Sequence, residues 1–317
     1  MKNVQLGNTD LQIAPIIFGG NVFGWTLNEE ESFRILDIFI DRGFNAIDTS
    51  NNYSHWVPGN VGTESEKIIG KWLKERNLRD KIVLATKVGG RNLVQDKPNT
   101  TKAHILKEID ESLSRLKTDY IDLYQTHYDD TKTPVEETLS AYNQIIKEGK
   151  VRFIGASNFS SERLICSLDK SSLFNLPAYK TLQPEYNLYD RQHFEEFLRP
   201  VAEKYNLAVI PYYSLASGFL SGKYKSQEDL DESARKDKVK KYYNEKGFKI
   251  LDALSEVSLK HNVSFAAVSL AWLLKQETVV APIASATKEN HINSFVEAIQ
   301  LELSEEDLII LNEASNY

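Results

Sequence analysis

Short apolar runs rich in Val and Ile alternate with longer amphipathic stretches along almost the whole chain of 317 residues. Parallel strands need crossover connections that are usually helical, so this rhythm dictates repeated strand–helix units on a parallel sheet. IIFGG, FNAIDTS, IVLATKV, IDLYQTH, VRFIGAS, TLQPEY, AVIPYYS and VVAPIA read as strands. Between them EEESFRILDIFIDRG, ESEKIIGKWLKERN, TKAHILKEIDESLSRL, PVEETLSAYNQIIKEG, SSERLICSL and FEEFLRPVAEKYN read as helices. Gly43 is placed to cap the first helix, Thr63 and Glu66 have capping-box spacing at the second, and Pro134 suits the first turn of the fourth. FKILDALSEVSLKHN and SFAAVSLAWLLKQ add helices near the C-terminus, and VQL and LQI around the turn GNTD form a hairpin expected to close the bottom of a barrel. Barrels of this kind reach such a length as one domain, so residues 1–317 are read as a single unit.

The rhythm breaks at ASGFLSGKYKSQEDLDESARKDKVKKYYNEK, whose lysine-rich second half reads as a solvated surface excursion. A net charge of −7 disfavours nucleic acid or an anionic membrane as the main partner. Cys166 stands alone, so no intrachain disulfide forms, and no Cys/His metal motif is present, so no metal is expected. The start, MKNVQLGNTDLQ, has no apolar signal core and no apolar run reaches spanning length, which makes a cytoplasmic protein the expectation.

Four residues with chemistry follow the strand ends. Asp48 ends the second strand, Tyr53 lies in the loop behind it, Lys87 ends IVLATK and His127 ends IDLYQTH. In a barrel such ends converge on one mouth. A tyrosine with pKa near 10 is a weak acid at neutral pH, and an ammonium beside it favours the phenolate and lowers that value. Asp48 is expected to hold Lys87 charged and in place. Neutral His127 is expected to donate an N–H to a substrate carbonyl, whose oxygen Tyr53 protonates as hydride reaches carbon. Singly, each has a plain structural reading: a turn aspartate, a solvated lysine, a packed tyrosine, a buried histidine. His55, His104, His193 and His261 are read as structural or surface groups.

The motifs DTSNNY, ATK, YQTH, GASNFS, LQPEYN and PYYSLASGFLSGKY occur in that order. With them the chain resembles the aldo-keto reductase family from LGNTDLQIAPIIFGG to LSEEDLIILNEA. The resemblance implies a (β/α)8 TIM barrel with an N-terminal β-hairpin cap and extra C-terminal helices and loops. It also implies an oxidoreductase that reduces an aldehyde or ketone with NADPH, NADH being the alternative. Carried over position by position, it assigns Ser157, Asn158 and Gln183 to the nicotinamide carboxamide and Tyr212 to stacking on the ring. Leu215, Gly218, Leu220 and Lys223 fall around the ribose and phosphates, and Gly20 and Asp48 are also assigned to the cofactor site. At the adenosine end the family pattern is altered. Thr287 stands where relatives carry the arginine for the 2′-phosphate, leaving Ser285, Lys288 and His291 as candidates, and Phe295 replaces an asparagine.

Asn21, Phe23 and Trp25 after the first strand, with Trp56 in a long loop after Tyr53, are the candidate substrate contacts, and a small carbonyl compound is the expected partner. Two other readings remain open on the residues: a cofactor-binding regulatory subunit with little turnover, and a non-redox barrel enzyme acting on phosphorylated sugars.

Overall fold

The computed structural model describes residues 2–90, 97–224, 227–231 and 235–317. A two-stranded antiparallel hairpin, β1 (Val4–Gln5) and β2 (Gln12–Ile13), precedes the repeat. The barrel strands are β3 (Ile17–Gly19), β4 (Ala46–Asp48), β5 (Val83–Val88), β6 (Ile121–Thr126), β7 (Val151–Ser157), β8 (Thr181–Gln183), β9 (Ala208–Val209) and β10 (Ile283–Ala284). All pair in parallel, in the order β10-β3-β4-β5-β6-β7-β8-β9. Backbone bonds from Val209 to Thr278 (3.0 Å), Val280 to Val209 (2.9 Å) and Ile283 to Pro211 (2.9 Å) join β9 to the segment that enters β10, and β10 pairs with β3, closing the ring. The fold is therefore the expected (β/α)8 barrel.

The helices described around the ring and at its mouth are α1 (Glu29–Asp41), α2 (Glu64–Arg76), α3 (Lys102–Leu116), α4 (Val135–Lys147), α5 (Ser161–Leu173), α6 (Arg199–Tyr205), α7 (Gln227–Asp231), α8 (Lys236–Val239), α9 (Glu245–His261), α10 (Phe265–Leu274), α11 (Glu289–Gln300) and α12 (Glu305–Ala314). No single helix among the described residues is long and apolar enough to cross a membrane. α10, apolar on all sides, is buried along nearly its whole length in the wall of the domain.

The hairpin plugs the barrel floor. Leu6, Leu11 and Ile13 pack with Ile17, Ala46, Ala85, Leu123, Ala208 and Ile283 in a small core inside the ring. The alanines among those strand positions leave room for the plug, and Gly155 is tighter still: a Cβ there would meet Thr181 Oγ1 at 2.2 Å. Asp122, buried near the start of β6, accepts from Arg79 (2.8 Å), Arg152 (2.7 Å) and the Leu84 amide (2.9 Å). Arg152 also reaches Asp10 in the hairpin turn at 2.9 Å, tying plug to barrel.

The second helix starts differently from the sequence expectation. Thr63 makes no capping bond; instead Glu64 accepts from the Val61 and Gly62 amides at 2.9 and 2.8 Å. Glu66 is turned inward, where Thr86 and Arg115 each donate to it at 2.6 Å, so its carboxylate serves helix–strand packing instead of the helix end. The first helix ends as expected, with Gly43 in the left-handed region at φ 88° just beyond Arg42. The long charged segment after β9 is partly described: residues 225, 226 and 232–234 lie outside the described residues. Its lysine-rich remainder is exposed at Lys236, Lys238, Lys240 and Lys241, as expected of a solvated surface, but Val239 and Tyr242 are buried beneath it and Arg235 and Lys238 line the cleft at the C-terminal mouth.

Candidate active site

β4, β5 and β6 deliver Asp48, Lys87 and His127 to the same mouth. Lys87, fully buried, donates to Asp48 Oδ2 at 2.5 Å, to the Thr49 carbonyl at 2.8 Å and to the Tyr53 hydroxyl at 2.8 Å. Its three protons are thus accounted for. Asp48, 1% exposed, also accepts through Oδ1 from Gln125 (2.8 Å) and Gln183 (3.0 Å), and Tyr53 lies 3.4 Å from its Oδ2. The four expected residues therefore meet, with Asp48 and Lys87 behind Tyr53 and the phenol facing the cleft.

Electrostatics correct one expectation. Burial first, then the Asp48 charge, push the Tyr53 phenol well above its ordinary value instead of below it. Lys87 is already paired with Asp48, so the phenol meets a nearly neutral ion pair inside a poorly hydrated site, and desolvation wins. Burial likewise draws the Lys87 ammonium down, against the pull of Asp48. Tyr53 is thus protonated at neutral pH, while the ammonium 2.8 Å away is placed to stabilise the phenolate formed when that proton leaves.

His127, 9% exposed, is held well below the usual imidazole range by burial and then by Lys87, so it is neutral. A partner missed from the sequence controls its proton. Ser50 donates to Asn52 Oδ1 at 2.6 Å and lies 3.1 Å from His127 Nδ1. With its single proton on Asn52, Ser50 accepts from Nδ1–H and leaves Nε2 an acceptor; turning the Asn52 amide end for end reverses the chain and protonates Nε2. Ser50 sits inside DTSNNY, but its contact with a strand 77 residues on leaves no trace in local pattern.

Above the tetrad runs a cleft of about 870 Å³. Ser157, Asn158, Gln183 and Tyr212 line it as expected, together with Leu215, Gly218 and Lys223, and with Ser285, Thr287 and His291 at the far end. Asn158 donates to the His127 carbonyl at 2.8 Å and accepts from the Tyr212 hydroxyl at 2.8 Å, and Ser157 donates to the Gln183 carbonyl at 2.9 Å. Ser217 and Gly218 both have positive φ (58° and 95°), turning the backbone sharply beside Lys223. Ser285 Oγ lies 2.7 Å from the Gly19 carbonyl and 2.6 Å from Asn21 Oδ1. Burial, then Lys223, Lys288 and Arg235, depress the His291 imidazole, so positive charge collects at that end.

Other assigned positions lie elsewhere. Phe23 is buried and stacked on Phe18 at 5.3 Å, a core residue instead of a substrate contact. Leu220 is in the core, and Lys288 is exposed at the start of α11, outside the cleft lining. Gly20 backs onto α2, where its carbonyl accepts from Ser65 at 2.8 Å. Asp48, whose oxygens are all engaged, touches the cleft only through its neighbours. Asn21, Trp25 and Trp56 do line the cleft, the two indoles meeting edge to face at 5.5 Å. Sequence reading passed over Tyr128, Tyr213, Arg235 and Lys238, and took His55 as structural; all five line the cleft.

The family model described as "Aldo/keto reductase family" matches residues 15–316. The chain belongs to the aldo/keto reductase family. Members of this family are oxidoreductases acting on carbonyls and generally use nicotinamide cofactors. Among relatives, "Uncharacterized oxidoreductase YrpG" of Bacillus subtilis is 32% identical, over 99% of this chain and 95% of its own length. "Aldo-keto reductase YhdN" of the same organism is 30% identical over 97% and 91%. "Versiconal hemiacetal acetate reductase" of Aspergillus parasiticus is 29% identical over 99% and 96%.

Proposed function

We propose that this aldo/keto reductase reduces an aldehyde or ketone with NADPH, using Tyr53 as the general acid. The observation that carries the reading is the 2.8 Å bond from buried Lys87 to a Tyr53 hydroxyl that faces the cleft, with Asp48 behind both. The cleft suits a nicotinamide dinucleotide. Amide and hydroxyl groups cluster at its catalytic end, an aromatic platform stands at Tyr212, and a small-residue turn lies beside Lys223; no Asp or Glu is among its described lining residues. A bound reduced nicotinamide supplies the hydride. Ser157, Asn158 and Gln183 would hold its carboxamide, and Tyr212 would support one face of the ring.

The chain's own residues do the rest. Tyr53 donates its proton to the carbonyl oxygen, a contribution of roughly two to four orders of magnitude in rate. Lys87 stabilises the phenolate left behind, and Asp48 keeps Lys87 charged in a site that otherwise favours its neutral form. His127 would orient the oxygen by donating from Nε2 in the reversed Ser50–Asn52 arrangement, since with Ser50 donating to Asn52 the imidazole proton sits on Nδ1. Lys223 and the positive surroundings of His291 support NADPH over NADH, in place of the arginine that Thr287 replaces.

Titration of the purified protein with NADPH and NADH, read by cofactor fluorescence, followed by aldehyde-dependent loss of the reduced-nicotinamide absorbance, tests the reading. Tight binding with turnover of simple benzaldehydes is expected. Binding without turnover would instead mark a cofactor-binding regulatory protein, and a higher kcat/KM with NADH would remove the NADPH preference.

A further inference from the structure

α8 places a cation over the substrate end of the cleft. Lys238 Nζ lies 5.6 Å from the centre of the Trp56 ring and 5.5 Å from that of Tyr213, and donates to the Tyr213 hydroxyl at 2.9 Å. Trp56 in turn meets the Tyr53 ring at 6.3 Å, so one indole separates the cation from the catalytic phenol. The neighbouring Arg235 covers Trp25 at 5.1 Å.

Lys238 is held in this position by its surroundings. Val239 and Tyr242 are fully buried, and the Tyr242 hydroxyl donates to Asp190 at 2.8 Å, anchoring the backbone on both sides of the turn that follows. Tyr213, the acceptor of its bond, has φ 52°, a left-handed conformation that costs a non-glycine residue roughly 1–3 kcal/mol. Its carbonyl is fixed there by Asn187 Nδ2 at 3.0 Å and the Ala216 amide at 2.7 Å. Strained backbone of this kind, kept by its surroundings, is characteristic of ligand-contacting positions.

Lys238 makes no ion pair among the described residues. Among the described residues no carboxylate lies within 4.0 Å of it, whereas Lys241, three residues on, is paired with Glu185 at 2.8 Å and Asp190 at 3.3 Å. The described lining of the whole cleft contains no Asp or Glu, although the chain is acidic. In the reading proposed above, cofactor phosphates would meet Lys223 and the His291 end, whereas Lys238, whose neighbours are Trp56 and Tyr213, stands on the Tyr53 side.

We propose that Lys238 is a specificity-determining residue and that the substrate is a carbonyl compound carrying an anionic group, carboxylate or phosphate, about one aromatic ring away from the reacting carbon. This rests on the carbonyl-reductase reading above and names its substrate class. The anion displaces or shares the Tyr213 hydroxyl on Lys238 while the Trp25–Trp56 wall packs on the apolar body between the two ends. Hydrogen bonds to charged groups of this kind favour a ligand by roughly ten- to hundredfold over its neutral counterpart.

The experiment compares 4-carboxybenzaldehyde, 4-formylphenyl phosphate and neutral methyl 4-formylbenzoate with NADPH, in wild type, Lys238→Met and Lys238→Arg. Wild type is expected to favour at least one anionic aldehyde by about tenfold in kcat/KM, mainly through KM, with the preference falling as salt rises. The two anions identify which headgroup is read. Lys238→Met should abolish the preference and Lys238→Arg should retain most of it, while NADPH affinity by fluorescence stays the same in both. Binding is also read without turnover, from quenching of tryptophan fluorescence by 4-carboxybenzyl alcohol and by its methyl ester in the presence of NADP⁺. Tighter binding of the acid, lost in Lys238→Met, supports the assignment even if no aldehyde is reduced, an outcome that sinks only the reductase reading. Equal binding of acid and ester in wild type, a preference that survives Lys238→Met, or weakened NADPH binding in that variant each overturn it.

Discussion

Replacing Lys87 with methionine removes the cation from a pair in which neither partner sees solvent: Lys87 is 0% and Asp48 1% exposed. Asp48 Oδ1 would keep the two glutamine amides, but Oδ2 would retain only the Tyr53 hydroxyl at 3.4 Å. Removing one member of a buried pair typically costs about 3–5 kcal/mol, because the other charge is left without compensation. For a domain of this size, with an unfolding entropy near 2.1 cal/mol/K per residue, that corresponds to a Tm about 5–8 °C lower. The double variant Asp48→Asn/Lys87→Met removes both charges and should regain most of the loss. Differential scanning calorimetry of the four proteins measures this. Additive losses in the double variant would refute the buried ion pair as the element that organises the site.

Three further outcomes follow from the geometry. Ser50→Ala should lower kcat by about tenfold, the worth of one well-placed hydrogen bond, with NADPH affinity intact; an unchanged kcat would mean that the Ser50 chain does not govern His127. Because the folded-state pKa of His127 lies below its unfolded value near 6.5, its contribution to stability is complete above that pH and falls as pH drops, by up to about 1.4 kcal/mol per unit. His127→Gln should therefore show a smaller fall in Tm between pH 7 and 5 than wild type, and an equal fall would contradict the buried neutral imidazole. Asp307, fully buried at the start of α12, accepts from Lys260 at 2.8 Å, His261 at 2.8 Å and the Ser304 amide at 2.9 Å. Asp307→Asn should cost about 1–3 kcal/mol in urea unfolding, and a loss under 0.5 kcal/mol would show that this link between α9 and α12 is dispensable.

What was legible in the sequence follows from how local each cause is. Strand and helix periodicity needs only neighbours, so the barrel, its hairpin plug and the strand ends bearing Asp48, Lys87 and His127 could be read directly. The capping role given to Thr63 and Glu66 failed because a tertiary demand, the Arg115 guanidinium and the Thr86 hydroxyl, claimed Glu66. The direction of the Tyr53 shift was misjudged because spacing reveals a nearby cation but not that the cation is already neutralised by Asp48. Phe23 looked like a pocket aromatic from its position after β3, yet the chain turns it back onto Phe18. Lys238 and Arg235 were invisible because their segment has no period from which a facing side can be deduced.

The central claim is that the Tyr53 hydroxyl supplies the proton. Single-turnover reduction of a good aldehyde by NADPH-loaded Tyr53→Phe measures it directly, with cofactor affinity followed in parallel. The account predicts a rate lower by about two to four orders of magnitude at unchanged NADPH affinity. A rate within a fewfold of wild type would contradict it.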